Sequence, residues 1–203
     1  MSIFTKKYIQ DSLSYEEYRQ MGKDLVQQGK TTGPNQTEKL FGYSKLNDKR
    51  MDRLDKTQEL QPETIEFIKS IRMPQYWVMI TELWCGDAAI HLPLIEKMAA
   101  LNPRIRLCIL LRDDNPEIID EYLTEGTRSI PKLILLDENL EEIGVWGPRP
   151  EGAQQIRDEW KAAGGGDKEV MLEAIQRWYI QDKGISVQRE VLALLTKKQE
   201  TAT

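Results

Sequence analysis

The chain has 203 residues, 40% hydrophobic and 30% charged, with a formal net charge of −5. That length allows one domain with additions and a sizeable core, while the acidic balance argues against a broad attraction to nucleic acid or anionic lipid. No run nears the roughly 20 apolar residues that span a bilayer, so no membrane partner is expected.

Two cysteines, Cys85 and Cys108, and one histidine, His91, are too few and too scattered for a zinc site. The start carries lysines but no apolar stretch of a secretory signal, which points to a reducing, cytoplasmic setting. No phosphate-loop or dinucleotide fingerprint occurs, and no cofactor is expected.

In chain order, residues 1–74 read as helical. Ser14 and Glu17 form a capping box for a helix running to about Gly29. A second helix is predicted over 38–57. Its Lys45, Lys49, Arg50, Arg53 and Lys56 are interleaved with Asp48, Asp52 and Asp55, which reads as a solvated, salt-laced face rather than an RNA stripe. Pro62 suits the first turn of a third helix.

The pattern changes at Tyr76. Residues 76–81 are β-branched and aromatic, a central strand. A helix over 87–101, a strand over 104–111 and a short helix over 116–123 follow. Residues 132–136 and 142–146 form a hairpin around Asp137-Glu138-Asn139, and a further helix starts near Pro150. Strands separated by helices give a parallel pair, with the hairpin as an antiparallel edge. Two more helices, 167–181 and 186–196, come after the glycine run at 164–166.

Chemistry concentrates in Trp84-Cys85-Gly86-Asp87-Ala88, where the central strand ends and a helix begins. A thiol at a helix N-terminus meets free N–H groups and the positive end of the dipole. A lowered pKa and an accessible thiolate are therefore expected, with Trp84 shielding one side and the Asp87 charge opposing.

This segment resembles the thioredoxin signature Trp-Cys-Gly-Pro-Cys. Pro93 lies eight residues after Cys85, where that family kinks its active-site helix. Ser129-Ile130-Pro131 resembles its cis-proline loop, and Gly147, sixteen residues beyond Pro131, matches the glycine that closes the peptide groove. Together with Arg-Ser-Ile-Pro-Lys and Trp-Gly-Pro-Arg-Pro, the chain is similar to a bacterial branch carrying a helical N-terminal extension. The resemblance implies a thioredoxin-like α/β fold, a mixed sheet with flanking helices. It divides the chain into an extension over 1–74, a domain over 75–164 and a helical C-terminal extension over 165–203.

The departures bear on activity. The second motif cysteine is Ala88, so a mixed disulfide cannot be resolved within the motif. Where the family buries an acid and its lysine partner, this chain has Met79 and a position near Leu110. Cys108, mid-strand, reads as core rather than as a replacement thiol.

For the remaining candidates two roles stay open. Asp87 stabilises the helix start or handles protons and substrate. His91 forms a surface pair with Asp87 or relays protons to Cys85. Glu82 is a strand-end acid or a substitute base. Arg128, Lys132 and Arg149 are exposed charges or carboxylate binders beside Gly86, Ile130 and Pro131. Trp146 is a groove wall beside Gly147 or simple packing.

Three functions compete: monothiol disulfide or thiol-transfer chemistry through Cys85 on a protein or small-molecule thiol or disulfide; a catalytically inactive peptide- or partner-binding module; and a single-cysteine redox sensor.

Overall fold

The computed structural model describes residues 3–201. Helices α1 (Lys6–Asp11), α2 (Tyr15–Gln27), α3 (Glu38–Thr57) and α4 (Pro62–Ser70) precede the first strand. The local signals explain their bounds. Ser14 and Glu17 form the reciprocal capping box of α2, Thr37 accepts from the Leu40 N–H to start α3, and Pro62 occupies the first turn of α4.

The acids of α3 are salt-bridged and partly exposed, and their main partner comes from another helix. Arg19 of α2, only 8% exposed, bridges Asp48 at 3.1 Å, Asp52 at 2.7 Å and Asp55 at 2.7 Å. This guanidinium clasps α2 to α3 because Asp48, Asp52 and Asp55 recur at helical spacing on one side of α3.

Strands β1 (Gln75–Thr81), β2 (Ile105–Leu111), β3 (Lys132–Asp137) and β4 (Glu142–Trp146) form one sheet in the order β2-β1-β3-β4. β1 and β2 are parallel, joined through α5 (Gly86–Ala99); the other neighbours are antiparallel. A short helix, α6 (Pro116–Ile119), follows β2. Leu13, just before α2, exchanges both backbone hydrogen bonds with Ile109 on the outer side of β2.

Alternation along the strands sends Trp77, Met79, Ile109 and Leu133 to one face, against Leu92, Ile95 and Met98 of α5 and Met51 of α3. Val78, Ile80, Cys108 and Ile134 line the other face with Ile118 and Ile119 of α6. Burying each such large side chain stabilises by about 1.5–3 kcal/mol.

Beyond β4 come α7 (Glu151–Ala162), α8 (Lys168–Asp182) and α9 (Ile185–Thr201). α9 packs Val187, Val191 and Leu195 into the first core face. α8 packs on α7 through a small separate core of Ala153, Met171, Ile175 and Tyr179. The close approach depends on Gly152, where a Cβ would lie 2.6 Å from the Trp178 ring. Among the described residues no helix is long and apolar enough to cross a membrane.

Candidate functional site

Cys85 caps α5 where β1 ends. Its thiol accepts from the Ala88 N–H at 3.5 Å and donates to the Ile130 carbonyl at 3.3 Å. The Ile130–Pro131 and Gly147–Pro148 bonds are both cis. Gly147 has φ +112°, and a Cβ there would collide with the Pro131 carbonyl oxygen, so the two loops meet backbone to backbone. Cys85, Gly86, Ile130 and Pro131 are thus gathered at one end of the sheet.

The expected open thiolate is not present. Cys85 is 7% exposed, and burial, then the Asp87 charge, push its thiol up to about 12. The Ala88 N–H and Arg149 oppose this and lose, because removing the sulfur from water penalises its charged form more than the helix start helps it. Cys108 is fully buried in β2, in register with Val78, and both cysteines are free. Met79 and Leu110 are buried apolar side chains, so neither supplies a base.

Asp87 is not a simple helix-start charge. Its carboxylate receives Arg149 Nη2 at 2.6 Å and the Tyr179 hydroxyl at 2.9 Å. Burial raises its pKa, with Arg149, Tyr179 and Arg50 pulling the other way. Arg149 is therefore committed to Asp87 through one nitrogen, while its Nε is buried without a partner among the described residues.

Both roles expected of His91 are corrected. It is 1% exposed, makes neither a pair with Asp87 nor a relay, and has no hydrogen bond at either ring nitrogen among the described residues. It stands edge-on to Trp146 at 5.2 Å and Tyr179 at 4.8 Å, and burial lowers its pKa to about 3. The i,i+4 spacing to Asp87 misled because α8 covers that side of α5.

Of the roles open for Trp146, packing is the one observed: the ring is buried and its Nε1 donates to Glu190 of α9 at 2.6 Å. Lys132 is buried, not exposed, and donates to Thr124 Oγ1 at 2.6 Å. Glu82 is buried and accepts from the Asp113 N–H at 2.8 Å. Arg128 is exposed and doubly bonded to Asp120 at 2.6 Å. Trp84 carries the Arg112 guanidinium over its ring at 4.8 Å.

A cleft of about 1140 Å³ opens beside Cys85. Trp84, Gly86, Asp87, Arg128, Ile130 and Arg149 reach it, and α3 and α8 also line it. Arg50 and Tyr179 were missed by the sequence reading. A signal existed for Arg50: it falls about half a turn from the three acids of α3, so a clasp on one side leaves Arg50 on the other. No local signal marked Tyr179, which reaches Asp87 from 92 residues away.

The family model described as thioredoxin matches residues 33–161. A crystal structure of a protein of unknown function from Pseudomonas aeruginosa is 19% identical, with a TM-score of 0.55 over 92% of this chain and 99% of that one. An HIV epitope-scaffold structure is 20% identical, with a TM-score of 0.55 over 91% and 99%. At these identities the likeness shows the fold alone. No curated protein matches the sequence. The match over most of the chain, on a mixed sheet with flanking helices, shows that this protein belongs to the thioredoxin family.

Proposed function

We propose that the protein carries out monothiol disulfide exchange through Cys85. The observation that carries this reading is the Cys85 thiol set against the Ile130 carbonyl at the edge of the cleft. Cys85 attacks one sulfur of a substrate disulfide, forming a Cys85 mixed disulfide, and the departing sulfur leaves as a thiol with the proton. With alanine at position 88, an external low-molecular-weight thiol then attacks the substrate-derived sulfur. That step returns Cys85 to the thiol and releases a new disulfide. Two free cysteines fit a reducing, cytoplasmic setting. In this reading residues 75–164 are the thioredoxin-like domain, and the flanking segments 1–74 and 165–203 contribute α3 and α8 as walls of its cleft.

A second reading, a binding module without turnover, is favoured by the raised pKa of the buried thiol. Incubation with bis(2-hydroxyethyl) disulfide, followed by intact-mass analysis and then thiol addition, separates the two. The expected result is a single Cys85 adduct that is released by added thiol and absent in Cys85→Ser. A protein that never forms the adduct, with Cys85→Ser retaining full cellular function, establishes the binding module instead.

A further inference from the structure

The charge around the cleft is out of keeping with the chain as a whole. The protein carries a net −5, yet eight lining residues are Lys or Arg and only three are Asp or Glu. Some of this charge is neutralised nearby: Arg128 by Asp120, Arg112 by Asp113, Arg157 by Glu125. Among the described residues, Arg50 and Lys168 form no ion pair. Arg50 is partly buried, donates to Asn47 Oδ1 at 2.8 Å, and sits 3.6 Å from where a Cβ on Gly86 would be, beside the thiol. Desolvation first and Arg53 second lower its pKa, while the Asp87 carboxylate, beyond ion-pair distance, pulls the other way. Arg149 adds the unpartnered Nε. Arg177 and Glu173 pair only loosely, at 3.4 Å, and both are exposed.

We infer that the cleft receives an anionic low-molecular-weight thiol, or its disulfide, that carries phosphate. This rests on the Cys85 reading and specifies its substrate. Three arguments favour this ligand. Guanidinium groups present forked donors that match phosphate oxygens, and among the described residues Arg50 is the cleft arginine with no carboxylate within ion-pair distance. The volume is somewhat above the usual range of small-molecule sites, enough for a ligand with several groups. Lys39 of α3 and Glu169 of α8 also approach to 3.9 Å across the cleft. This loose contact between exposed side chains narrows the opening, which favours a small ligand over an extended peptide running through.

The test uses the full chain and two disulfides. One is coenzyme A disulfide, which carries phosphates; the other is bis(2-hydroxyethyl) disulfide, which carries no charge. In about 50 mM salt, Cys85 should form its adduct with the charged disulfide at least about fivefold faster, and about 500 mM salt should erase the preference. Arg50→Gln should narrow the rate ratio, and Lys168→Gln, at an exposed position that bears on no buried contact, should narrow it in the same direction. Equal rates for the two disulfides at low salt overturn the inference while leaving monothiol chemistry intact. Calorimetry of Cys85→Ser with coenzyme A separates the other failure: binding there, with no exchange by the parent protein, supports the anion cleft and removes the exchange reaction. If Cys85→Ser binds a Glu-rich peptide but not coenzyme A, the small-ligand inference is overturned.

Discussion

The Tyr179 hydroxyl donates to the Asp87 carboxylate at 2.9 Å, tying α8 to the second residue after Cys85. The carboxylate is buried, so the bond is made where water cannot replace it. Tyr179→Phe should therefore lower stability by about 1–3 kcal/mol, as expected for a hydrogen bond to a charged group. Urea unfolding measures this. A variant as stable as the parent would show that the bond contributes nothing.

The Cys85 thiol is raised by burial first and by Asp87 second, so it should be largely protonated at neutral pH. Iodoacetamide labelling followed by mass spectrometry should be slow at pH 7 and climb through the alkaline range, with Cys85 still ahead of the fully buried Cys108. Asp87→Asn removes a like charge and frees Arg149, moving the labelling profile roughly one pH unit or more lower. An unchanged or higher profile would mean that Asp87 does not act on the thiol.

His91 is held neutral, its pKa lowered to about 3 by burial first and by Arg149 second. Between that value and the ordinary 6.5 the unfolded chain binds a proton that the folded chain refuses. The stability that His91 contributes is therefore intact above about pH 6.5 and falls as the pH drops below it, by up to about 1.4 kcal/mol per pH unit. His91→Phe keeps a ring between Trp146 and Tyr179 and should flatten this loss. Unfolding free energies of parent and variant at pH 7 and pH 5 decide it: parallel losses would remove His91 as the cause.

Arg19 holds three carboxylates that would otherwise repel one another. Burial pushes Asp52 up, yet Arg19 and Lys23 outweigh it and keep its pKa below the usual carboxylate range. Arg19→Met should cost about 2–4 kcal/mol at pH 7, less than a fully buried pair because Asp52 and Asp55 are partly exposed. The stability from a depressed carboxylate is present above about pH 4 and disappears below it, so the deficit should shrink at pH 3. A deficit independent of pH would assign the loss to packing alone.

Much of the sheet was legible because strands announce themselves locally. Residues 76–81 are β-branched or aromatic at every position but Met79, and the hairpin around Asp137 is bounded by turn residues. The spacings from Cys85 to Pro93, Pro131 and Gly147 also placed the backbone of the site. What local pattern could not supply was cover. His91 reads as a surface residue from its own helix and becomes buried only because α8 and Trp146 close over it. Cys85 reads as activated from its place at a helix start, whereas the loop at Ile130 shuts it away from water. Asp87 finds its partners 62 and 92 residues downstream, at distances that no helical or strand period encodes.

The bond pair between Leu13 and Ile109 reaches beyond the local turn. The outer side of β2 would otherwise present unpaired amide and carbonyl groups at its middle, a template on which another chain could extend the sheet. One residue from the start of the chain occupies that place, with hydrogen bonds of 2.9 and 2.8 Å. Growth of the sheet from copy to copy across β2 must first peel Leu13 away, so the segment before α2 works as a latch against self-templating.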